Sequence, residues 1–456
     1  MAPTIPTLSV EAFGRKLRSG AIASRAVTEE CLRRIHADID AKNDGLNAFI
    51  SVMADEAQSH ARLADEELAR GIDRGPLHGV PISVKDLVDI QGLPTTAASR
   101  VREGHVARRD AAVIGHLRQA GAVLVGKTNL HEFAFGTTSE ESAFGAARNP
   151  HDTTRSPGGS SGGSAISVAA GMALASIGTD TGGSIRIPAA ACGIVGLKPA
   201  FGEVSTEGVV PLSRTLDHVG PLTQSVTDAW LLYRALLGDH HPEALGSHSS
   251  GAAQNLRLAV LRRYFCELLD NEVRARFDEA LERLRAAGAQ IDETDIPHAR
   301  DIAAVYVTLV CSDAAAYHAA TLDRVPERYS EMVRARLEVG RYVLAQDLSR
   351  ALHGREVLRR EVNAALEGRD ALVLPALAIP APGLGAQSMQ IGGSTEPVRN
   401  LMLRETQLFN LTGHPAISLP CGNTSEGLPC GLQLVGASGQ TEALLRVALA
   451  CETHLS

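Results

Sequence analysis

Two clusters of glycine and serine in the segment Ser156–Ala190 limit what this chain can fold into more than any other feature. The segment reads SPGGSSGGSAISVAAGMALASIGTDTGGSIRIPAA, so an apolar stretch separates two Gly-Gly-Ser runs. Glycine lets the backbone turn tightly and lets several N–H groups face the same way. A flexible linker is the ordinary interpretation of glycine and serine runs. These runs lie between apolar segments rather than in a long polar tract, so we predict structured loops.

The second cluster ends in a serine that precedes a short apolar stretch. Thr181, Gly182, Gly183 and Ser184 come before Ile185–Cys192, which could start a helix. N–H groups at or near a helix N-terminus can form an oxyanion hole, where negative charge develops on a carbonyl oxygen. A serine that closes the run has its hydroxyl beside that hole. This is the arrangement that acyl transfer requires.

A serine hydroxyl is a weak nucleophile at its free pKa, so the hypothesis needs a base. No histidine is singled out by its position in the sequence, but Lys85 is, because it follows the apolar run Val80–Val84. Burial favours the neutral amine and lowers the pKa of a lysine, which makes it usable as a general base. On position alone, a lysine that reaches solvent or pairs with Asp86 or Asp89 is the more ordinary interpretation.

Three other motifs fail on their sequence context. Residues 121–128 match a nucleotide-binding phosphate loop, but their variable positions form a predicted strand, and Gly121 fits the C′ position of a preceding helix. Residues 158–162 match the elbow of α/β-hydrolases, but turn-forming residues precede them instead of a strand. The 16 histidines form no metal-binding pattern, and His240–His241 fits a solvated turn. We therefore predict no nucleotide, no metal and no cofactor.

Strands and helices alternate after a helical N-terminal region at residues 1–70. The predicted helices are Val10–Ser19, Arg25–Ala41, Ala54–Ala69, Asp110–Gln119, Asn271–Ala286 and Val343–Leu366. The predicted strands are Val80–Val84, Ala122–Val125, Arg257–Leu261, Ala371–Leu374, Ala416–Leu419 and Leu432–Val435. This alternation predicts an α/β protein with a largely parallel or mixed sheet. Polar stretches at Asp239–Gln254 and Ile379–Thr395 predict surface connections within one domain, residues 1–456, with a peripheral helical excursion at about 239–370.

Composition narrows the class of protein and its compartment. The chain has 456 residues, of which 44% are hydrophobic and 21% charged, as in soluble globular proteins. A domain that binds nucleic acid should be basic, and the net charge here is −8, so we predict no nucleic-acid partner. The seven cysteines form no C-x-x-C pair. With no apparent signal peptide or membrane span, they predict reduced thiols in the cytoplasm.

Taken together, the motifs resemble the amidase signature family over most of the chain. The segments that carry the resemblance are residues 76–86, 126–136, 155–199 and 413–422. The spacing of Lys85, Ser160 and Ser184, 75 and then 24 residues, also fits the family pattern. The resemblance implies an α/β fold with a large mixed, mostly parallel β-sheet core surrounded by α-helices. The signature core would lie at about residues 76–225.

The resemblance also implies a Ser–cis-Ser–Lys triad. Ser184 would be the nucleophile, Ser160 the serine on a cis peptide that relays the proton, and Lys85 the base that starts neutral. The residues implied to form the oxyanion hole with their amides are Thr181, Gly182, Gly183 and Ser184. Those implied to line the acyl pocket are Ala134, Phe135 and Gly136, and those implied to support the site are Asp180 and Arg186.

The resulting hypothesis is a carbon–nitrogen hydrolase that acts through a Ser184 acyl-enzyme on linear amide-type bonds. Its substrate would be a small amide, aryl acylamide or carbamate (urethane), with no membrane partner, and a homodimer is allowed. The alternative is the amidase subunit of a glutamyl-tRNA(Gln) amidotransferase, which works in a complex and feeds ammonia to a partner. The stand-alone enzyme is preferred because Gly208–Pro221 looks more like that of stand-alone hydrolases. A non-catalytic binding module is disfavoured, since all three triad residues are present.

Substrate specificity is expected from variable helices and loops at residues 303–344 and 380–407. Arg399 and Arg404 are candidates for binding a substrate carboxylate, although solvated charges on a helix are the more ordinary interpretation. His414 is predicted to have a structural role in its own loop.

Overall fold

An 11-stranded sheet runs through the computed structural model, which describes residues 8–245 and 253–455. The strands are β1 Phe49–Val52, β2 Pro81–Lys85, β3 Val123–Thr128, β4 Ala175–Asp180, β5 Val195–Lys198, β6 His218–Thr223, β7 Arg257–Leu261, β8 Gln290–Thr294, β9 Ala371–Pro375, β10 Ser388–Ile391, β11 Ser394–Pro397, β12 Ala416–Asn423 and β13 Pro429–Val435. Strands β10 and β11 form a separate hairpin. The other strands lie in the order β1-β3-β2-β4-β6-β5-β12-β13-β9-β7-β8.

Helices surround this sheet. They are α1 Val10–Arg18, α2 Ser24–Asp40, α3 Ala54–Ala69, α4 Ala112–Gln119, α5 Gly162–Ala169, α6 Arg186–Cys192, α7 Val226–Leu236, α8 Asn271–Ala286, α9 Ile302–Arg324, α10 Glu331–Gly340, α11 Ala345–Leu366, α12 Val398–Leu403, α13 Gln407–Thr412 and α14 Thr441–Leu455. Strand β2 is parallel to β3 and β4, and β7 is parallel to β8 and β9. The other six strand pairs of this sheet are antiparallel. The predicted large mixed sheet surrounded by helices is therefore confirmed, with four of its ten strand pairs parallel.

The elements found by sequence are those with a clear local pattern. All six predicted strands are present, β7 with the predicted bounds and the other five with bounds that differ by one to four residues, and α3 and α8 also have the predicted bounds. The formal phosphate-loop match lies on β3, and Gly121 takes a φ of 75° after α4, as expected of a C′ glycine. Strands β4, β5 and β6 are among the seven of the 13 described strands that were not predicted. Glycine or proline interrupts the apolar run of each of these three, which hides the strand pattern.

The helical excursion includes one unusually apolar helix. Residues 299–324 are long and apolar enough to cross a membrane by length and composition, but half of the qualifying window is buried inside the fold. Helix α9 packs against α10 and α11, which accounts for its apolar surface. The proposed division into an N-terminal region, a core and an excursion stays a prediction. The predicted surface connection at 239–254 lies partly outside the described residues, as do residues 1–7 of the N-terminal region.

Candidate active site

Lys85 is the last residue of β2, and it is completely buried. Its Nζ atom lies 2.8 Å from the hydroxyl oxygens of Ser160, Ser161 and Thr179. The pairing with Asp86 that position alone favours does not occur. Asp86 instead forms a buried ion pair with Lys127, with 2.6 Å between Nζ and Oδ1. The parallel pairing of β2 with β3 brings these two ammonium groups into the same region of the sheet.

Burial changes the protonation of Lys85. Desolvation lowers the pKa of Lys85 to about 7, against the opposing charges of Asp180 and Asp217. A neutral amine has two N–H donors and one lone pair, so one of its three hydroxyl neighbours must donate to the nitrogen. The Ser161 hydroxyl donates instead to the Thr179 carbonyl oxygen at 3.1 Å. The hydroxyl hydrogens of Ser160 and Thr179 are therefore the ones available to Lys85.

Ser160 follows a cis peptide bond from Gly159. Two donors hold its carbonyl oxygen, the amide of His131 at 3.1 Å and the hydroxyl of Ser139 at 3.2 Å. Gly159 itself is tightly enclosed, since a Cβ atom there would lie 2.9 Å from the Ser139 amide nitrogen. The next residue, Ser161, donates its amide to the carbonyl oxygen of Ser184 at 3.2 Å. The loop that carries Ser160 is thereby attached to the residue predicted as nucleophile.

Ser184 closes the loop of residues 181–184 between β4 and α6, and it is 6% exposed. None of the four amides in this loop donates a hydrogen bond to another described residue. The loop needs glycine for close packing. A Cβ atom on Gly182 would lie 2.3 Å from the Tyr306 hydroxyl, and one on Gly183 would lie 2.2 Å from the Thr406 hydroxyl. Four unpaired amides beside a serine are hydrogen-bond donors from which a developing oxyanion can accept.

Asp180 and Arg186 form a completely buried ion pair on either side of this loop. The Asp180 carboxylate accepts the Arg186 side chain through two bonds of 3.0 Å and the amide of Ile185 at 3.1 Å. Burial alone would raise the pKa of Asp180, but the Arg186 guanidinium holds it well below its ordinary value. Arg186 also donates to Asn410 and to Gln433, each at 2.6 Å. These contacts fix both ends of the loop. They also occupy the hydrogen-bonding groups of the Asp180 and Arg186 side chains, so neither side chain is available to react with a substrate.

The three residues implied to line an acyl pocket lie in a sharp reversal of the chain. Ala134 has a φ of 58°, and Phe135 is packed under the guanidinium of Arg336 at 5.8 Å. Gly136 lies directly against the ring of His131, since a Cβ atom there would lie 2.0 Å from Nε2. Both ring nitrogens of His131 are buried without a hydrogen-bond partner among the described residues. Burial and the nearby charges of Arg336 and Arg399 lower the pKa of His131 to about 3, so its ring is neutral.

Sequence reasoning missed several residues of the site. Arg336 comes from α10, Tyr306 from α9 and His131 from the segment after β3, and none has a local pattern that marks it. Of the two arginine candidates, Arg399 has a buried Nε atom with no partner among the described residues. The Arg404 Nε atom is also buried without a partner among those residues, but its side chain stacks on the ring of Tyr264 at 3.8 Å and donates to the Tyr264 carbonyl oxygen, which is a structural contact.

His414 is held as expected of a structural residue. Its ring contacts the side chains of Thr412 and Asn363, each at 2.9 Å, and its carbonyl oxygen accepts a 2.6 Å bond from Lys198. Within residues 8–245 and 253–455, no group of three or more His, Cys, Asp or Glu side chains is placed to hold a metal ion.

Comparison with known proteins places the chain in a family. The model of the Amidase family matches residues 26–445. The chain belongs to the amidase family. A curated relative, which is one subunit of the glutamyl-tRNA(Gln) amidotransferase of Anaeromyxobacter sp. (strain K), is 38% identical, and the match covers 98% of this chain and 96% of the relative.

Solved structures agree with this family assignment. One described as an amidase is 40% identical, has a TM-score of 0.92, and covers 98% of this chain and 100% of its own. Another, described as an unexpected vestigial protein complex that reveals the origins of an s-triazine catabolic enzyme, is 33% identical with a TM-score of 0.90. It covers 98% of this chain and 100% of its own. The amidase-family resemblance inferred from sequence is thus confirmed, and the chain is an amidohydrolase.

The preference for a stand-alone hydrolase of small amides and carbamates is wrong. Eight curated relatives, 34–39% identical over 96–99% of this chain, are all the same subunit of glutamyl-tRNA(Gln) amidotransferases. These relatives also overturn the prediction of no nucleic-acid partner. Gly208–Pro221 was too short a segment to separate members of a complex from stand-alone enzymes. The net charge of one chain, in turn, carries no information about what the other chains of a complex bind.

Proposed function

We propose that this amidase-family chain is the glutamine-hydrolysing subunit of a glutamyl-tRNA(Gln) amidotransferase. The proposal is carried by one observation, the match over nearly the whole chain to curated subunits of that enzyme. In such a complex the subunit releases ammonia from an amide, and a partner subunit uses that ammonia on glutamate attached to tRNA. The cytoplasm stays the proposed compartment. The partners are therefore protein subunits, with tRNA bound by the assembly as a whole.

The proposed chemistry starts with neutral Lys85. Lys85 takes a proton from Ser160, which takes one from Ser184, and the Ser184 oxygen forms a bond to the amide carbon. The carbonyl oxygen becomes an oxyanion that the amides of residues 181–184 bind. The contact of 2.8 Å between Lys85 and Ser160 supports the first transfer. The second transfer needs Ser184 and Ser160 to approach each other once substrate is bound, and the Ser184 hydroxyl has no other partner among the described residues.

The intermediate then collapses with loss of ammonia. The bond between carbon and nitrogen breaks, and the same relay returns its proton to the leaving nitrogen. A glutamyl ester on Ser184 remains. Water attacks this ester, gives its proton to Lys85 through Ser160, and releases glutamate, and Ser184 takes its proton back. The net reaction is glutamine plus water to glutamate plus ammonia, and no cofactor enters it.

Two arginines support an amide substrate that carries a carboxylate. Arg336 and Arg399 come close enough to shift the pKa of the buried His131 ring downward. The Arg399 Nε atom is buried without a partner among the described residues, so a ligand could satisfy it. Guanidinium groups bind carboxylates through paired hydrogen bonds. Glutamine carries an α-carboxylate at one end and the scissile amide at the other, which suits cations placed near His131 and the predicted acyl pocket.

Reconstitution tests the proposal. The chain would be combined with the other amidotransferase subunits from its own organism, glutamyl-tRNA(Gln), ATP and glutamine, and both glutamate release and tRNA amidation would be measured. We expect amidation that depends on this chain and that is abolished by Ser184→Ala. Exposed Asp323→Ala is the matched control and should keep full activity.

Two outcomes would contradict the proposal. One is a wild-type chain that hydrolyses other amides but not glutamine, either alone or in the complex. The other is full amidation by the Ser184→Ala complex, which would show that the serine is not the nucleophile.

A further inference from the structure

The first residue of the proposed oxyanion loop is anchored through its side chain. The Thr181 hydroxyl donates to Oδ1 of Asp217 at 2.6 Å, across 36 residues of sequence. The two residues that follow are glycines and have no side chains to fix them. Thr406 holds the loop further along by donating to the Gly182 carbonyl oxygen at 2.6 Å. Asp217 is thus one of the few groups that can set where the Thr181 amide lies.

Asp217 is itself held from behind. Oδ2 accepts the amides of Leu212 at 3.0 Å and Ser213 at 3.2 Å, and the Ser213 amide also lies 3.1 Å from Oδ1. Both carboxylate oxygens are therefore used, and the loop of residues 212–217 closes around the side chain. The strand β6 begins directly after Asp217, so this loop has a firm attachment to the sheet.

The same loop is attached to helix α9 of the excursion. The Asp313 carboxylate accepts the hydroxyl of Ser213 at 2.5 Å and that of Thr215 at 2.8 Å. A continuous chain of hydrogen bonds therefore runs from Asp313 on α9, through the 212–217 loop and Asp217, to Thr181. Each link joins residues far apart in sequence, or closes a loop that faces the site.

We propose that Asp217 is a positioning residue of the oxyanion hole, which acts through the Thr181 hydroxyl, and that Asp313 of α9 holds the Asp217 loop in place. The inference rests on the proposed function, since it assumes that the amides of residues 181–184 stabilise an oxyanion. Removal of one donor from such a hole lowers kcat by about 100- to 1000-fold. Loss of an anchor displaces a donor only partly and costs less. Because the hole binds the transition state, the loss falls on kcat and not on KM.

A double-mutant cycle on the glutaminase activity of the complex tests this chain of contacts. Thr181→Val keeps the amide but removes the hydroxyl, and Asp217→Ala removes its acceptor. We expect each variant to lower kcat by about 10- to 100-fold with KM nearly unchanged, and the double variant to lose no more than the less active single variant. Thr181→Ser keeps the hydroxyl and should retain activity within about threefold. Two results would overturn the inference. One is a double variant whose loss of kcat equals the product of the two single losses, and the other is a rise in KM that matches the fall in kcat.

The contribution of α9 is tested with a matched pair of acidic residues on the same helix. Asp313→Ala should lower kcat by a smaller factor, about three- to tenfold, and add nothing to Asp217→Ala. Asp323→Ala removes an exposed carboxylate at the far end of α9 and should have no effect. If Asp313→Ala lowers kcat by the same factor in the wild type and in Asp217→Ala, the proposed link from Asp313 to Asp217 is contradicted. Thermal unfolding identifies variants that fail to fold, and Asp217→Asn, which keeps the packing, then replaces Asp217→Ala.

A second measurement separates this inference from the proposed function. A serine-directed fluorophosphonate labels Ser184 without any need for glutamine, and its phosphoryl oxygen occupies the same hole. We expect the rate of labelling, followed by intact mass, to fall in the same order as kcat. If wild type is labelled but does not hydrolyse glutamine, the proposed function fails and the labelling rates still decide the role of Asp217. If the wild type is not labelled, both the proposed function and the proposed role of Asp217 are contradicted.

Discussion

At pH 7 the amine of Lys85 is divided between its charged and neutral forms, because burial lowers its pKa to about 7. Only the neutral form can accept a proton from Ser160. The fraction of neutral amine falls about tenfold for each pH unit below that pKa. The charges of Asp180 and Asp217 oppose this shift and keep the pKa of Lys85 from falling further.

Activity should therefore rise with pH through an ascending limb near pH 7. The expected plot of log kcat/KM has a slope of about one below the limb and a plateau above it. The measurement is glutamine hydrolysis by the complex in buffers of constant ionic strength. A profile that is flat from pH 5 to 9, in an enzyme that stays folded, would contradict a lysine base.

At the residue scale, the sequence identifies the candidate site residues that lie in an unusual local sequence pattern. It misses the polar residues whose sequence neighbours are ordinary. Lys85 is noticeable because it ends an apolar run, and Ser184 because it closes a glycine cluster. Asp217 and His131 have no such mark. Asp217 binds Thr181, 36 residues away, and His131 is buried near the charges of Arg336 and Arg399. A local pattern contains none of these contacts.

At the element scale, the loop of residues 181–184 depends on glycine for its shape. Gly183 has a φ of 141°, and a Cβ atom there would lie 2.2 Å from the Thr406 hydroxyl and 2.7 Å from Ile187 Cδ1. A side chain at this position must push the loop away from its neighbours. The amides of the proposed oxyanion hole would move with it.

Gly183→Ala should lower kcat by about 100-fold or more, as loss of an oxyanion donor does. Gly115→Ala is the matched control. It lies inside α4 with no atom within 4 Å of the added Cβ, so activity should not change, and the free energy of unfolding should rise by about 0.5–1 kcal/mol. Steady-state kinetics and urea unfolding measure both effects. Wild-type kcat in Gly183→Ala would show that the loop does not hold the oxyanion.

Strand β4, which carries Asp180 into this loop, also marks the limit of pattern reading at the element scale. Its sequence, ASIGTD, contains a glycine and ends in polar residues, and all six of its residues are buried. A strand that is covered on both faces shows no alternation of polar and apolar residues. Only its pairing with β2 and β6 defines it as a strand.

At the scale of the whole molecule, Arg186 joins distant parts of the chain. It binds Asp180 of β4, Asn410 of α13 and Gln433 of β13, and it is completely buried. A buried charge that loses its partner is strongly unfavourable. Arg186 therefore ties the loop of residues 181–184 to α13 and to strand β13.

Arg186→Met should lower the free energy of unfolding by about 3–5 kcal/mol, because it leaves the Asp180 carboxylate buried and unpaired. Urea unfolding followed by circular dichroism provides the measurement. Arg276→Met, which removes a half-exposed partner of Glu279, is the control and should change stability little. An equal loss of stability in the two variants would contradict a special role for the buried pair.

The sequence by itself determined the mixed α/β fold, the amidase family and the candidate serines and lysine, because these depend on short-range patterns of glycine, serine and apolar residues. Tertiary structure decided which polar groups meet. It pairs Asp86 with Lys127 and places three hydroxyl groups around Lys85. It also links α9 to Thr181 through Asp217. Such contacts join residues tens to hundreds of positions apart, and their energies depend on burial that only the folded chain creates. The curated relatives are subunits of a multi-chain enzyme, and neither the net charge nor the local motifs of one chain show which other chains it joins.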